Sequence, residues 1–228
     1  MTGQPLLLSE ADHDRVSAAV AAAELHTSGE IVTIVARRSD GYADVALAWA
    51  AVVSFTALTV LSLFPHFYLG LIDDVLGHWQ HEWTPQGAFT VALGVATLKF
   101  VGMLLLQLWP PLKFRLIPPH IKRLRSRARA AAYFRTGAQG RTTGRTGVLI
   151  YLSLAEHDAE ILADQAIAAK VSPEVWGEAM AAMLVDLKAG RLADGMIAAV
   201  EKVGEILAPH FPRADDDVNE LPDRLIEV

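Results

Sequence analysis

Two runs of apolar positions lie close together in the middle of the chain, and neither has the polar stripe of a helix that lies on a soluble core. Residues 45–64 form the first run, and residues 88–108, interrupted only by Lys99 and Gln107, form the second. At about 1.5 Å of rise per residue each is long enough, as a helix, to cross a hydrocarbon core of roughly 30 Å. The connection between them, residues 65–87, contains no Lys or Arg and carries Phe67, Tyr68, Trp79 and Trp83, aromatic side chains suited to the headgroup region. It is expected to be an interfacial loop.

Outside these runs the pattern changes period. Ser9 with Asp12 reads as a capping box for a helix whose stripe is Val16, Val20 and Ala23, ending at Thr27-Ser28-Gly29. Residues 31–35, Ile-Val-Thr-Ile-Val, are β-branched and too few for a helix, so they predict a buried strand. Beyond the second span, residues 120–134 predict a basic, alanine-rich helix. A loop with glycines at 137, 140, 144 and 147 follows, then a strand over 147–152 and a hairpin through residues 155–158 into a third strand over 159–163. Ser172-Pro173 opens a helix ending near Gly190, and a last helix runs over 192–208. The strands on either side of the apolar pair are too few to make separate sheets. The expectation is therefore one discontinuous α/β (α+β) domain, a central sheet flanked by helices, interrupted by a two-helix transmembrane hairpin. Its pieces are residues 1–43, the hairpin 44–109, a basic helix and C-terminal part 110–211, and an acidic tail 212–228.

Charge sets the orientation. Lys113, Arg115, Lys122, Arg123, Arg125, Arg127, Arg129, Arg135, Arg141 and Arg145 follow the second span, and Arg37 and Arg38 precede the first. The positive-inside rule then predicts a multi-pass protein of the bacterial inner (plasma) membrane with both termini cytoplasmic. Helix 120–135 is expected near the inner leaflet. The net charge of −6 and the acids of the C-terminal third argue against nucleic acid as a partner. With no cysteine, thiolate metal sites and cysteine nucleophiles are excluded. No basic, apolar, small-residue leader begins the chain, so insertion is expected to rely on the hairpin.

Three stretches carry candidate chemistry. Glu156, His157, Asp158 and Asp164 flank the third strand, where carboxylates and an imidazole could hold a metal or relay a proton, against the alternative of a solvated hairpin turn. Glu30 and Asp40 have the same standing. His66, His78, His81 and Glu82 lie in the outer connection, with His78 and His81 at helical i, i+3 spacing, a conceivable zinc or copper site on a weak motif. The glycine loop with Arg135, Arg141 and Arg145 could cradle a phosphate, but it leads from a helix to a strand and so is not a Walker A loop. Lys99, costly at a span centre, marks a packing partner or a side chain that snorkels.

Ser28-Gly29-Glu30-Ile31-Val32, Arg145-Thr146-Gly147-Val148-Leu149-Ile150, the hairpin into Asp158-Ala159-Glu160-Ile161 and the paired C-terminal helices together resemble the TPM domain. That module is shared by a thylakoid lumen protein, a photosystem repair factor and an accessory subunit of acetylcholine receptors. The run over 144–157 and the ending over 219–226 are similar to a subgroup of bacterial predicted membrane proteins. The chain is expected to be a non-catalytic interaction or assembly and maintenance factor for membrane proteins, with the lipid bilayer and a membrane-protein partner or a second copy as partners, and with no cofactor beyond a divalent cation. The alternative that the resemblance implies is a divalent-cation-dependent phosphatase using Glu156, His157, Asp158 and Asp164. Arg145 stands where the family has Asp, and Ala166-Ile167-Ala168-Ala169 replaces its glycine-rich turn.

Overall fold

A computed structural model describes residues 7–76, 83–142, 144–214 and 218–228. Along the chain run α1 (Glu10–Glu24), β1 (Glu30–Ala36), α2 (Ala43–Leu63), α3 (Pro65–Leu76), α4 (Pro85–Leu106), α5 (Pro110–Leu116) and α6 (Pro119–Gly137). There follow β2 (Gly147–Ser153), β3 (Asp158–Ala163), α7 (Gln165–Ala168), α8 (Trp176–Lys188), α9 (Leu192–Leu207) and β4 (Ile226–Glu227). They form two compact units, one made of residues 1–40 with 119–228 and the other of residues 41–118.

The first unit is built on a mixed sheet of order β3-β2-β1-β4. β1 pairs parallel to β2 with Ile31 opposite Val148, β2 pairs antiparallel to β3, and β4 pairs parallel to β1 with Ile34 opposite Ile226. Every residue of β1 and β2 is buried, because both faces of these central strands are covered. Alternation sorts their side chains. Ile31, Val35, Val148, Ile150 and Leu152 share a core with Val16 and Val20 of α1, Met183 of α8 and Met196, Val200 and Val203 of α9. Val32, Ile34, Leu149 and Tyr151 face the other way, onto Ala130 and Phe134 of α6 and onto Leu221. Ser9 caps α1 by accepting from the Asp12 N–H at 3.1 Å, as the capping box predicts.

Four local differences from the sequence expectation have identifiable causes. Ile226 and Glu227, expected in the tail, form β4, whose Glu227 carboxylate accepts from the Leu7 and Leu8 N–H groups at 2.7 and 2.9 Å. The buried stripe of α1 is Val16, Val20 and Glu24, so its third member is a carboxyl group, while Ala23 is half-buried. Ser172-Pro173 begins a turn, and α8 proper starts three residues later at Trp176. The glycine-rich loop is packed rather than open: Ala138, Thr142 and Thr146 are buried, and the Thr142 Oγ1 accepts from the Thr146 N–H at 2.8 Å.

In the second unit α2 and α4 lie side by side, and each has a mean hydropathy of 2.0 over a span-length window. Two polar side chains bond within the pair. Ser54 Oγ donates to the Ala96 carbonyl at 3.0 Å, and Gln107 Nε2 donates to the Ala46 and Met103 carbonyls, both at 3.1 Å. The outward surface carries Phe55, Leu63, Phe89, Leu93, Leu98 and Leu105, all largely exposed. Lys99 is exposed on the same helix. The connection expected as a loop begins with a helix, α3, for which Pro65 sits at the first turn; Asp73 on it accepts from Trp83 Nε1 at 2.9 Å.

Candidate functional site

The chain leaves β1 through Ser39 and Asp40, and a connected network of buried polar groups gathers there. Ser39 is 2% exposed, and its N–H donates to both carboxylate oxygens of Glu156 at 3.1 Å. Its Oγ donates to Ser153 Oγ at 2.8 Å, and Ser153 Oγ in turn donates to Glu156. Having given its single proton to Ser153, the Ser39 hydroxyl accepts from Tyr151 Oη, 3.0 Å away. Burial pushes the Tyr151 phenol up, the Ser39 and Ser153 bonds oppose that, and the Glu156 charge adds to it, so Tyr151 keeps its proton and acts as the donor. On the outer side Arg129 Nε donates to the Ser39 carbonyl at 2.9 Å and Arg125 pairs with Asp40 at 3.3 Å. An open groove of about 270 Å³ lies here, lined by Ser39, Asp40, Arg125, Ala128, Arg129 and Ala132.

The four residues flanking β3 do not converge. Glu156 is buried in the network just described; His157 is exposed at φ 52° in the hairpin; Asp158 begins β3 opposite Ser153. Asp164 lies at the far end of that strand, about 20 Å away at roughly 3.3 Å per residue. There it caps α7, accepting from the Gln165 N–H at 2.8 Å, and its other oxygen accepts from the Gly140 N–H at 2.8 Å. That second bond takes up one of the loop amides that a phosphate cradle would need. Asp158 Oδ2 is buried with no hydrogen-bond partner among the described residues. Next to it on β3, burial raises Glu160, the Asp158 charge raises it further, and Arg127 offsets part of the rise.

His66 is exposed on α3, whereas His78, His81 and Glu82 lie outside the described residues. Among the described residues no group of three or more His, Cys, Asp or Glu is arranged to hold a metal ion.

A second polar cluster joins the end of α1 to the C-terminal segment. Glu24 Oε1 accepts from the Ile31 N–H at 2.7 Å, while Oε2 is buried without a partner among the described residues. Burial pushes this carboxyl up to about 8; the Ile31 bond and Arg213 pull it down, and the charges of Glu30 and Asp223 push it up further. Glu30 accepts from the Glu220 and Leu221 N–H groups at 3.3 and 3.0 Å and so fastens that segment beside β1. Sequence reasoning missed Ser39, Tyr151, Ser153 and Glu24. The i, i+4, i+8 spacing of Val16, Val20 and Glu24 was the available signal for the last; the others meet only through the parallel pairing of β1 with β2.

Comparison with known proteins agrees with this architecture. Residues 118–206 match the family model of the TPM domain. The NMR structure of BA42 protein from the psychrophilic bacteria Bizionia argentinensis sp. nov. is similar with a TM-score of 0.57, covering 100% of both chains at 18% identity, which establishes a shared fold. No curated protein matches the chain.

Proposed function

We propose that this chain, which carries a TPM domain over residues 118–206, is an integral protein of the bacterial plasma membrane whose domain faces the cytoplasm and binds membrane proteins during their assembly or maintenance. Two helices long and apolar enough to cross a bilayer support the membrane part, and the run of basic residues after α4 supports the orientation. The interaction role is carried by one observation: the carboxylates of Glu156 and Asp164 are taken up by the fold's own donors, at opposite ends of β3. They act as brackets, one fixing the exit of β1 to the β2–β3 hairpin, the other fixing the glycine loop to α7.

The competing reading is a divalent-metal-dependent phosphatase. Phosphomonoester hydrolysis by the purified full chain, measured with and without Mg²⁺, Mn²⁺ or Ca²⁺, separates the two. The interaction reading expects no turnover above background, and Glu156→Ala or Asp164→Ala to lower stability. Cation-dependent turnover that disappears in Glu156→Ala, His157→Ala, Asp158→Ala or Asp164→Ala overturns it. Crosslinking in native membranes followed by purification of the chain would identify the partner, whether another membrane protein or a second copy.

A further inference from the structure

The outward face of α6 combines two features that seldom coincide on a solvated helix. Its buried face is Ser126, Ala130 and Phe134, packed on the sheet. Leu124, Ala128 and Ala132, also four residues apart, therefore form the opposite ridge, and Leu124 is 65% exposed. Arginines flank this ridge on both sides: Arg123 and Arg125 about Leu124, Arg127 and Arg129 about Ala128. The helix contains no acidic residue. Arg125 and Arg129 are held in place by Asp40 and the Ser39 carbonyl, at the rim of the 270 Å³ groove. Arg123 and Arg127, three residues before Ser126 and Ala130, lie on the flank of α6 toward the sheet; neither makes a salt bridge with a described residue, and the Arg127 charge reaches Glu160 of β3.

We infer that this face of α6 docks on an anionic phospholipid surface, the ridge of Leu124 and Ala128 entering the headgroup layer while the flanking arginines bind lipid phosphates. A helix bound by charge alone would gain nothing from an outward leucine, whereas arginine stems cover apolar surface and carry their guanidinium groups toward phosphate. Pro119 follows Leu106 after a single short helix, so a bilayer crossed by α4 brings such a surface within reach. The inference rests on the membrane reading proposed above.

The chain has no cysteine, so a single nitroxide can be placed cleanly. The full chain carrying Ala128→Cys is labelled and reconstituted in nanodiscs of phosphatidylcholine alone or with added phosphatidylglycerol, and its access to oxygen is compared with its access to an aqueous nickel chelate. Leu184→Cys, on the exposed side of α8, is the control. Label 128 should become shielded from nickel and open to oxygen only in the anionic discs, with label 184 unchanged. Arg123→Gln and Arg127→Gln should each lower the ratio of docked to undocked chains by about fivefold, the equivalent of ~1 kcal/mol per basic side chain at an anionic surface. Leu124→Ser should leave label 128 shallower. A chain that inserts in both discs while label 128 stays equally open to nickel overturns the docking inference and leaves the membrane reading standing. A chain that enters neither disc and stays soluble without detergent overturns both. Shielding of label 128 by RNA to the same degree as by anionic discs overturns the choice of lipid.

Discussion

Gly204 of α9 and Ala23 of α1 meet without room for a further methyl: a Cβ on Gly204 would stand 2.9 Å from the Ala23 Cβ. Helix propensity favours alanine over glycine by about 0.5–1 kcal/mol, but overpacking a filled contact costs about 1–3 kcal/mol. Gly204→Ala should therefore lower stability, and adding Ala23→Gly should restore part of the loss. Urea unfolding of the two single variants and the double variant measures the coupling; strict additivity would mean that the helices do not approach as described.

Glu24 predicts a pH dependence. Its carboxyl is raised from 4.5 to about 8 by burial, so the folded chain binds a proton there that the unfolded chain releases. The associated stability is fully present below pH 4.5 and is lost as pH rises through about 8. Glu160, also raised, slopes the same way. Glu24→Gln keeps an acceptor for the Ile31 N–H and removes the charge, so its urea midpoint should fall less across that window than that of the unaltered chain. Parallel profiles would contradict the burial of this group.

Deleting the residues before Asp44 removes β1 and its covering helix α1, exposing the edge of β2 and the apolar faces of α6 and α9. The remainder should aggregate or be degraded. Joining Arg38 to His120 through a short flexible linker gives up the Ser39 bonds to Glu156 but should still yield a soluble folded protein, because the exit of β1, where Ser39 and Asp40 lie against Arg129 and Arg125, is within about 15 Å along α6 of its start. Limited proteolysis and circular dichroism report both. A protease-resistant fold from residues 120–228 alone would refute the prediction.

Reporter fusions at residues 1, 76 and 228 should place both termini inside and the connection outside, since the opposite arrangement moves the basic residues after Leu108 across the bilayer. An external C-terminus would reverse the orientation and remove the cytoplasmic role proposed for the domain.

Residues 31–35 were legible as a strand because a short β-branched run leaves few other choices, and β1 extends it by a residue at each end. The helices α8 and α9 were legible from their turn and glycine boundaries. Ile226 and Glu227 were not, since two residues in an acidic context carry no periodicity and gain their strand form only by pairing with β1. The hydroxyl network was hidden for a related reason. Ser39 and Glu156 are far apart in sequence, and each alone reads as an ordinary turn residue. Asp164 was visible as an acid near a strand end; that both its oxygens are occupied became clear only once Gly140 was seen beside it.

The position of β1 between β2 and β4 imposes an order on biosynthesis. This strand is made before the apolar helices, yet its two neighbours are made after them, β2 first and β4 later. At about 5–20 residues per second, tens of seconds separate the synthesis of Ile34 from that of its partner Ile226. Until Ile226 is made, the nascent chain holds a strand that is apolar but for Glu30 and Thr33 and has one side unpaired. Any factor that shields nascent chains at the membrane has its longest task at this segment, and a ribosome stalled before Leu225 would release a domain that cannot close.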